Sequence, residues 1–209
     1  MRFFKCRFYD YQDEIKNAKT CAEMRISMEH IERTNRELVY KGSMLEFYKD
    51  TMVTPDGKVT YWDHIEHKGA AAMVPVLDDG RIVLVRQFRN SPDEETLEIP
   101  AGGLEKDEPT ELAAIRELEE ETGYRAERQH VRKLISVYTA VAFCNEIIDI
   151  YVADNLVKTS QNLDEEENIN VEIYTLDEIK HMIFKGVIKD SKTVSAILAY
   201  SELLLNSRL

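Results

Sequence analysis

The sequence predicts an α/β fold: one layered domain with a small addition at the N-terminus. Short extended runs alternate with a few helical stretches along most of the chain, a pattern typical of a sheet covered by helices. The sequence shows no internal repeat and no low-complexity linker that would divide it. Its 209 residues suffice to bury a full apolar core without disulfides or structural metals.

The N-terminal segment, residues 1–37, differs in pattern from the rest. Ile15, Ala18 and Met24 fall near one helical stripe, which predicts a helical N-terminal extension. Extended runs begin at Leu38, so the main domain is predicted to cover residues 38–209.

Eight extended runs and three helices are predicted in the main domain. Turn signals at 54–57 (Thr-Pro-Asp-Gly) and 78–80 (Asp-Asp-Gly) join the first four runs into two hairpins. The predicted strands are 45–53, 58–67, 70–77, 81–88, 96–99, 131–141, 146–153 and 171–176. The predicted helices are 110–122, 176–185 and 191–205. Asp107 or Thr110 is expected to cap the first helix, and Gly123 to end it.

Charge and composition narrow the range of partners. The formal net charge is −12, which argues against a nucleic-acid polymer, because binding a polyphosphate backbone needs a basic surface. A carboxylate cluster can still hold a divalent cation, which can meet the phosphates of a small ligand. The longest apolar run, 70–77, is too short to span a membrane, so no membrane partner is expected. Three cysteines without a CxxC pair, and no secretory signal, predict a cytoplasmic protein.

The first predicted helix carries the residues that point to chemistry. Glu117, Glu120 and Glu121 lie at i, i+3 and i+4, so they share one face. Leu112 and Leu118 lie on a different face and are expected to pack inward. Three crowded carboxylates repel each other unless a cation neutralises them, and hard divalent cations prefer carboxylate oxygens.

A solvated acidic face is the common alternative for such a run, but the surrounding spacing argues against it. Residues 102–124 read Gly-x5-Glu-x7-Arg-Glu-apolar-x-Glu-Glu-x-Gly-apolar. This long pattern resembles the Nudix box at every fixed position. Flanking runs at 54–58, 85–89 and 98–102, with an acidic loop before Ile169, are similar to the ADP-sugar pyrophosphatase branch of the Nudix family.

The resemblance implies a Nudix α/β/α sandwich with a mixed β-sheet, assembled as a homodimer. It also implies hydrolysis of the pyrophosphate bond of a small nucleotide sugar, with ADP-ribose giving AMP and ribose 5-phosphate. The implied cofactor is Mg²⁺, with Mn²⁺ as a possible substitute.

Roles for single residues of the helix and its loop follow from the same resemblance. Glu117 and Glu121 would be the main metal ligands, with Glu120 nearby and the carbonyl of Ala101 completing the shell. Arg116 would orient the glutamates by ion pairing rather than act on the substrate.

Three residues outside the box are candidates for substrate binding. Arg89 would contact a phosphate, and a solvated arginine at a strand end is its alternative. Arg86 is a second candidate, with a carboxylate across the strand as its alternative partner. Trp62 falls where this branch places an aromatic residue that stacks on adenine from the neighbouring subunit. A position in the core or at a dimer interface is the alternative for Trp62.

A general base outside the box is also expected, because a water must be activated to attack phosphorus. The acidic loop 164–167 lies in the matching place, before the last predicted strand. Its register against Ile169 makes Glu167 the first choice and Glu165 the second. Solvated loop carboxylates are the alternative.

One departure from the family pattern leaves the substrate open. Val141 and Ala142 stand where many ADP-ribose hydrolases carry Pro-Gly, a change that would reshape the pocket beside the terminal ribose. One alternative is therefore a Nudix hydrolase of another nucleotide, such as GDP-mannose, a dinucleotide or an oxidised nucleoside triphosphate. A non-catalytic nucleotide-binding Nudix domain and an acidic scaffold protein without metal are the others.

Overall fold

The computed structural model describes residues 30–42, 45–163 and 168–206. These residues form twelve strands, three α-helices and one short 3-10 helix, which confirms the predicted α/β class. They separate into two compact units: the residues up to Ile65 together with those from Leu203 onward, and Glu66–Glu202. Within the described part, no helix is long and apolar enough to cross a membrane.

The first unit contains a three-stranded sheet in the order β1-β2-β3. Its strands are β1 (Glu32–Lys41), β2 (Glu46–Val53) and β3 (Val59–Glu66), and the last residue of β3 already belongs to the second unit. The predicted turn between β2 and β3 is confirmed. The N–H of Gly57 donates to the carbonyl of Thr54 at 2.8 Å, and Gly57 has a φ of +82°.

Only the last part of the predicted helical extension, residues 30–37, lies among the described residues. Residues 1–29 lie outside the described part, and from Glu32 the chain is a strand, so a helix is wrong over 32–37. Pairing with β2 overrides the weak helical spacing. Arg36 lies directly opposite Asp50 and donates Nε and Nη2 to its carboxylate, both at 2.7 Å. The predicted domain boundary after residue 37 stays a prediction.

Nine strands of the second unit form the scaffold of the site. They are β4 (Ala70–Pro75), β5 (Ile82–Arg89), β6 (Glu94–Glu98), β7 (Ala101–Gly103), β8 (Tyr124–Arg125), β9 (Val131–Tyr138), β10 (Ile147–Ala153), β11 (Val157–Lys158) and β12 (Ile169–Tyr174). The strand orders are β7-β4-β10-β9, β12-β5-β6 and β11-β8. β10 runs parallel to β4, whereas β9, β7 and the β5 neighbours pair antiparallel, so the predicted mixed sheet is confirmed.

The two strands of the second predicted hairpin, β4 and β5, belong to two different sheets. The turn around Gly80 forms as expected, with the N–H of Leu77 donating to the carbonyl of Arg81 at 2.8 Å. Beyond a single bridge between Val76 and Ile82, β4 pairs with β7 and β10, whereas β5 pairs with β6 and β12. Every residue of β4 and the first half of β5 are buried, as expected for strands with neighbours on both sides.

Three helices are described: α1 (Thr110–Thr122), α2 (Leu176–Phe184) and α3 (Ser191–Asn206). α1 packs on the four-stranded sheet through Ala113, Ala114 and Leu118, in a cluster that includes Met73 of β4. Leu118 is buried as predicted, whereas Leu112 is 42% exposed, which corrects the expected inward face. Small alanine side chains take the inner positions because they let the helix approach the sheet closely.

The two ends of α1 differ in how well they were predicted. Pro109 is the N-cap and makes no side-chain cap, so neither Asp107 nor Thr110 caps the helix. The hydroxyl of Thr110 instead donates to Asp149 of β10 at 2.8 Å, which ties the start of the helix to the sheet. Gly123 ends α1 as predicted, in the left-handed conformation at φ +66°.

We expect Gly123→Ala to destabilise the protein more than Gly186→Ala. Both glycines are left-handed, at φ +66° and +71°, so alanine costs about 1–2 kcal/mol at either position. At Gly123 a Cβ would also lie 2.9 Å from the backbone nitrogen of Gln161, whereas the described structure has no atom within 4 Å at Gly186. Overpacking should therefore add roughly 1–3 kcal/mol at Gly123 alone. Urea unfolding measures both variants, and equal losses would contradict the packing contribution.

Candidate active site

The loop before α1 places backbone groups beside the last turns of the helix. β7 pairs with β4, with Ala101 opposite Ala72. The N–H of Ala101 donates to a carboxylate oxygen of Glu121 at 3.0 Å. Because Glu121 is only 4% exposed, its carboxylate is held at a defined position beside the loop.

Gly102 lies against the carboxylate of Glu117. A Cβ at residue 102 would overlap the carboxylate carbon and both of its oxygens, so only glycine permits this approach. A Cβ on Gly103 would meet open space in the described structure. The two neighbouring glycines look alike in the sequence, but only the first is required by contact.

Arg116 gathers the carboxylates of α1 and the preceding loop. Its Nε and Nη2 donate to the two oxygens of Glu108 at 3.0 and 2.9 Å. Its Nη1 donates to Glu117 at 2.6 Å and to Glu120 at 3.0 Å. Nη2 also donates to the carbonyl of Gly103 at 3.2 Å. The bonds between Arg116 and Glu108 raise the pKa of the guanidinium and lower the pKa of the carboxyl group, so both groups stay charged.

The segment 159–162 bonds to the last carbonyls of α1. The side chain of Gln161 donates to the carbonyl of Glu121 at 2.7 Å, and the backbone N–H groups of Thr159 and Asn162 also donate to carbonyls at this helix end. Carbonyls that a helix terminus leaves unpaired are thereby satisfied. Sequence reasoning missed Gln161, because a single loop glutamine carries no periodic or motif signal.

An ion-pair network around the buried carboxylate of Glu98 joins β5, β6 and the start of α3. Arg89 donates Nε and Nη2 to the two oxygens of Glu98, both at 2.8 Å. Lys192 bonds to Glu98 and, at 3.0 Å, to Asp190. Burial alone would raise the pKa of Glu98, but the bonds from Arg89 and the charge of Lys192 outweigh it and hold the pKa at about 2.

Sequence reasoning assigned no role to Glu98 or Lys192. Glu98 is 2% exposed and Lys192 7% exposed. A glutamate between Leu97 and Ile99 in a predicted strand was the available signal, because an ionisable residue in an apolar run is buried only with a partner. Nothing in the sequence near Lys192 indicated the second cation.

Comparison with known proteins shows a family resemblance that covers most of the second unit. The family model described as NUDIX domain matches residues 66–196, more than half of the chain. The chain belongs to the Nudix family.

Individual relatives cover most of this Nudix chain. It is 36% identical over 164 residues to the ADP-ribose pyrophosphatase of Bacillus subtilis, covering 78% of this chain and 88% of the relative. It is 39% identical over 163 residues to the methanol dehydrogenase activator of Bacillus methanolicus, covering 77% and 87%. A solved structure, an ADP compounds hydrolase, superposes with a TM-score of 0.77 at 22% identity, covering 86% of this chain and 97% of that one, which shows the fold alone.

The residues of the Nudix box fit a divalent metal by donor chemistry. Among the described residues, no three His, Cys, Asp or Glu side chains form a ready-made metal site. The carboxylates of Glu117 and Glu120 are turned to Arg116, and that of Glu121 to the N–H of Ala101. Three carboxylates on neighbouring turns nevertheless supply the oxygen ligands that Mg²⁺ prefers. To bind the ion, these carboxylates would exchange their present hydrogen-bond donors for the metal, and no further residue would be needed.

The substrate candidates outside the box have different surroundings. Arg86 donates Nε to Glu172 of the neighbouring strand β12 at 2.5 Å, so the alternative partner across the strand is observed. Trp62 is 47% exposed on β3, which excludes the core position considered for it. The roles of both residues in substrate binding stay predictions.

Glu165 and Glu167, the candidate bases, lie outside the described residues.

Glu98 is expected to make stability depend on acidic pH. Its folded pKa of about 2 lies below the ordinary value of 4.5, so the ionised group stabilises the fold above pH 4.5. This contribution, roughly 3 kcal/mol, is lost as the pH falls towards 2, because the carboxyl group is then protonated in both states. Urea unfolding should show that Glu98→Gln destabilises strongly at pH 7 and progressively less below pH 4.5.

Glu94→Gln is the matched control, since Glu94 lies on the same strand and pairs with the exposed Lys189 at 2.6 Å. This variant should lose at most about 1 kcal/mol at any pH. A constant difference between wild type and Glu98→Gln across pH 3–7 would contradict the depressed pKa.

Proposed function

We propose that this protein is a pyrophosphohydrolase of nucleoside diphosphate sugars, with ADP-ribose giving AMP and ribose 5-phosphate. One observation carries the proposal: the carboxylates of Glu117, Glu120 and Glu121 are gathered by Arg116 and by the N–H of Ala101 at one end of α1. The name of the Bacillus subtilis relative, ADP-ribose pyrophosphatase, supports this substrate.

The proposed cofactor is Mg²⁺, with Mn²⁺ as a substitute. Glu117 and Glu121 are its proposed main ligands, with Glu120 and the carbonyl of Ala101 completing the set. When bound, such an ion neutralises pyrophosphate charge and lowers the pKa of the attacking water. Arg116 keeps the carboxylates oriented and does not contact the substrate.

Arg89 is proposed to hold a phosphate of the substrate. Glu98 accepts hydrogen bonds from Nε and Nη2 of Arg89, whereas Nη1 donates to no atom of the described residues. The side chain is 42% exposed, so a ligand can reach the open edge. A guanidinium fixed on one edge and open on the other suits phosphate oxygens, which accept several N–H bonds from one arginine.

A loop carboxylate is proposed to take the proton of the attacking water, Glu167 first and Glu165 second. Their place in the sequence supports this choice. They lie between Gln161 and Ile169, and the side chain of Gln161 donates to the carbonyl of Glu121 at 2.7 Å and to that of Ile169 at 3.4 Å.

The loop with Val141 and Ala142 does not argue against ADP-ribose. The N–H groups of Phe143 and Cys144 donate to the carbonyl of Ala140 at 3.1 and 2.9 Å, which closes a turn. Neither Val141 nor Ala142 has a positive φ, so this turn needs no glycine. We therefore keep ADP-ribose as the first substrate and other nucleotides as the alternative.

The proposal includes a homodimer that works in the cytoplasm. The exposure of Trp62 supports stacking on adenine in the partner's site or a place at the dimer interface. The odd number of cysteines and the absence of a CxxC spacing support a reducing compartment. Sedimentation that shows a fully active monomer would contradict the dimer.

The first experiment measures products from a nucleotide panel with and without Mg²⁺. The panel contains ADP-ribose, ADP-glucose, GDP-mannose, NADH, a diadenosine polyphosphate and a nucleoside triphosphate, and chromatography identifies the products. We expect AMP from ADP-ribose only with metal, and a loss of at least about 100-fold in kcat for Glu121→Gln, because a ligand is removed. Glu111→Gln, in the first turn of the same helix, should retain activity.

Other outcomes change the assignment in defined ways. Faster cleavage of another nucleotide would keep the metal chemistry and replace the substrate. Metal binding by calorimetry without any turnover would favour a non-catalytic nucleotide-binding domain, for which the relation to a dehydrogenase activator offers a class of partner. Absence of metal binding would favour the acidic scaffold.

Gly102→Ala is expected to inactivate the enzyme, whereas Gly103→Ala should not. The added Cβ at residue 102 displaces the carboxylate of Glu117, and a displacement of about 1 Å in such a group can cost roughly 100-fold in rate. The Cβ at residue 103 meets open space in the described structure. Steady-state hydrolysis of ADP-ribose compares the two variants, and equal activities would show that Glu117 has no fixed position in catalysis.

A further inference from the structure

Lys192 occupies a position that fold stability alone does not favour. It is the second residue of α3, where the helix dipole opposes a positive charge, and it is only 7% exposed. Its ammonium group lies between the carboxylates of Glu98 and Asp190. A buried charge pair is often no more stabilising than apolar residues of the same size, so stability alone does not account for this cation.

The charges around Glu98 show what Lys192 adds. The carboxylate of Glu98 accepts Nε and Nη2 of Arg89 at 2.8 Å, the hydroxyl of Thr96 at 2.5 Å and the ammonium of Lys192. Two cations therefore share one buried anion. The negative charge of Glu98 is divided between them, so Arg89 is anchored without being fully neutralised.

Asp190 is a second carboxylate beside Lys192, so removing the ammonium group would leave two carboxylates near Arg89. Its Oδ2 accepts the backbone N–H of Thr193 at 3.0 Å and the Thr193 hydroxyl at 2.6 Å, as well as Lys192. The same Thr193 hydroxyl oxygen accepts the N–H of Ile99 at 2.9 Å. The start of α3 thus holds both the side chain of Glu98 and the backbone that follows it.

This cluster is connected to the box carboxylates. Ala101, three residues after Glu98, donates its N–H to Glu121 at 3.0 Å. The charge of Glu121 also acts on Arg89, where it adds to the larger effect of Glu98 in raising the pKa of the guanidinium. The short segment from Glu98 to Ala101 therefore links the residue that anchors Arg89 to the carboxylate of Glu121.

We propose that Lys192 is a positioning residue for substrate binding: by sharing Glu98 it holds the Arg89 guanidinium in place and leaves it enough positive charge to bind a phosphate of the nucleotide sugar. This inference rests on the proposed function. Lys192 acts through Arg89 and does not touch the substrate. Its ammonium group is engaged by the carboxylates of Glu98 and Asp190.

The test is the kinetics of Lys192→Met with ADP-ribose and Mg²⁺. Methionine fills similar space without charge, so Arg89 is then the one cation bonded to Glu98 among the described residues. We expect KM to rise about tenfold and kcat to change less than about threefold, because a phosphate contact present in both ground and transition states is weakened. Lys192→Arg, which keeps the charge, should restore most of the affinity.

Lys189→Met is the matched control. Lys189 joins the same two parts of the chain, through a 2.6 Å ion pair with Glu94 of β6, but it is exposed. Its KM should equal that of wild type. Thermal unfolding of both variants separates a loss of stability from a loss of affinity.

A double-mutant cycle with Arg89→Met decides whether Lys192 works through Arg89. In the Arg89→Met background, Lys192→Met should change KM by less than about twofold, because the group through which it acts is already gone. A full effect in that background would overturn the proposal. So would a Lys192→Met variant with a lowered melting temperature and a wild-type KM, which is the pattern of a purely structural ion pair.

Two further measurements keep the inference distinct from the proposed function. If Lys192→Met does not fold, Lys192→Gln, which keeps an N–H donor but no charge, takes its place under the same criteria. If wild type binds ADP-ribose in calorimetry without cleaving it, the proposed activity fails while a weaker affinity of the variant supports the role of Lys192. If wild type cleaves ADP-ribose and the variant matches it in KM, only the role of Lys192 fails.

Discussion

Repulsion between like charges on the last turns of α1 is the constraint on which the rest of the site depends. Glu117, Glu120 and Glu121 lie within five residues, and a helix places them on neighbouring turns. Arg116 offsets this repulsion with a planar fork of donors that reaches two of the three directly. Because the same guanidinium also binds Glu108 and the carbonyl of Gly103, the helix and its preceding loop are fixed together.

The short connection from β6 to β7 is held in place by contacts with several other elements. Residues 98–101 bond to several elements: Glu98 to Lys192 of α3, the carbonyl of Pro100 to the N–H of Met73 of β4 at 3.0 Å, and the N–H of Ala101 to Glu121 of α1. Bonds from its side chains and backbone to neighbouring elements leave this segment little freedom. The positions of Arg89, the proposed phosphate contact, and of Glu121, a proposed metal ligand, are therefore set by the same few residues.

Local patterns in the sequence predicted the elements well, but not their partners. The end of α1 at Gly123 was predictable, because a left-handed residue is needed there and glycine supplies it. The separation of β4 and β5 into two sheets was not, since a tight turn at 78–80 is compatible with a hairpin and the choice depends on distant strands. The strand at 32–41 was also missed, because the pairing of Arg36 with Asp50 is a long-range contact.

In the candidate site, too, local motifs were predictable from the sequence, whereas tertiary contacts were not. The spacing of the box glutamates and of Arg116 is local, so one helix is enough to predict that they share a face. The difference between Gly102 and Gly103 is not local, because it arises from the approach of Glu117 from the helix. Lys192 lies 94 residues from Glu98 along the chain, and only the packing of α3 brings a second cation to that carboxylate.

These contacts also resolve an apparent conflict between the charge of the chain and the charge of its proposed substrate. A net charge of −12 should repel a pyrophosphate at long range. Screening confines that repulsion to about 8–10 Å at ordinary ionic strength, so the nearest groups decide binding. Around Glu98 two cations share one buried anion, and beside it the acidic side chains of α1 can be neutralised by a divalent ion. An acidic protein can therefore bind a polyanion where anchored cations and a divalent ion offset the charge of the nearest carboxylates.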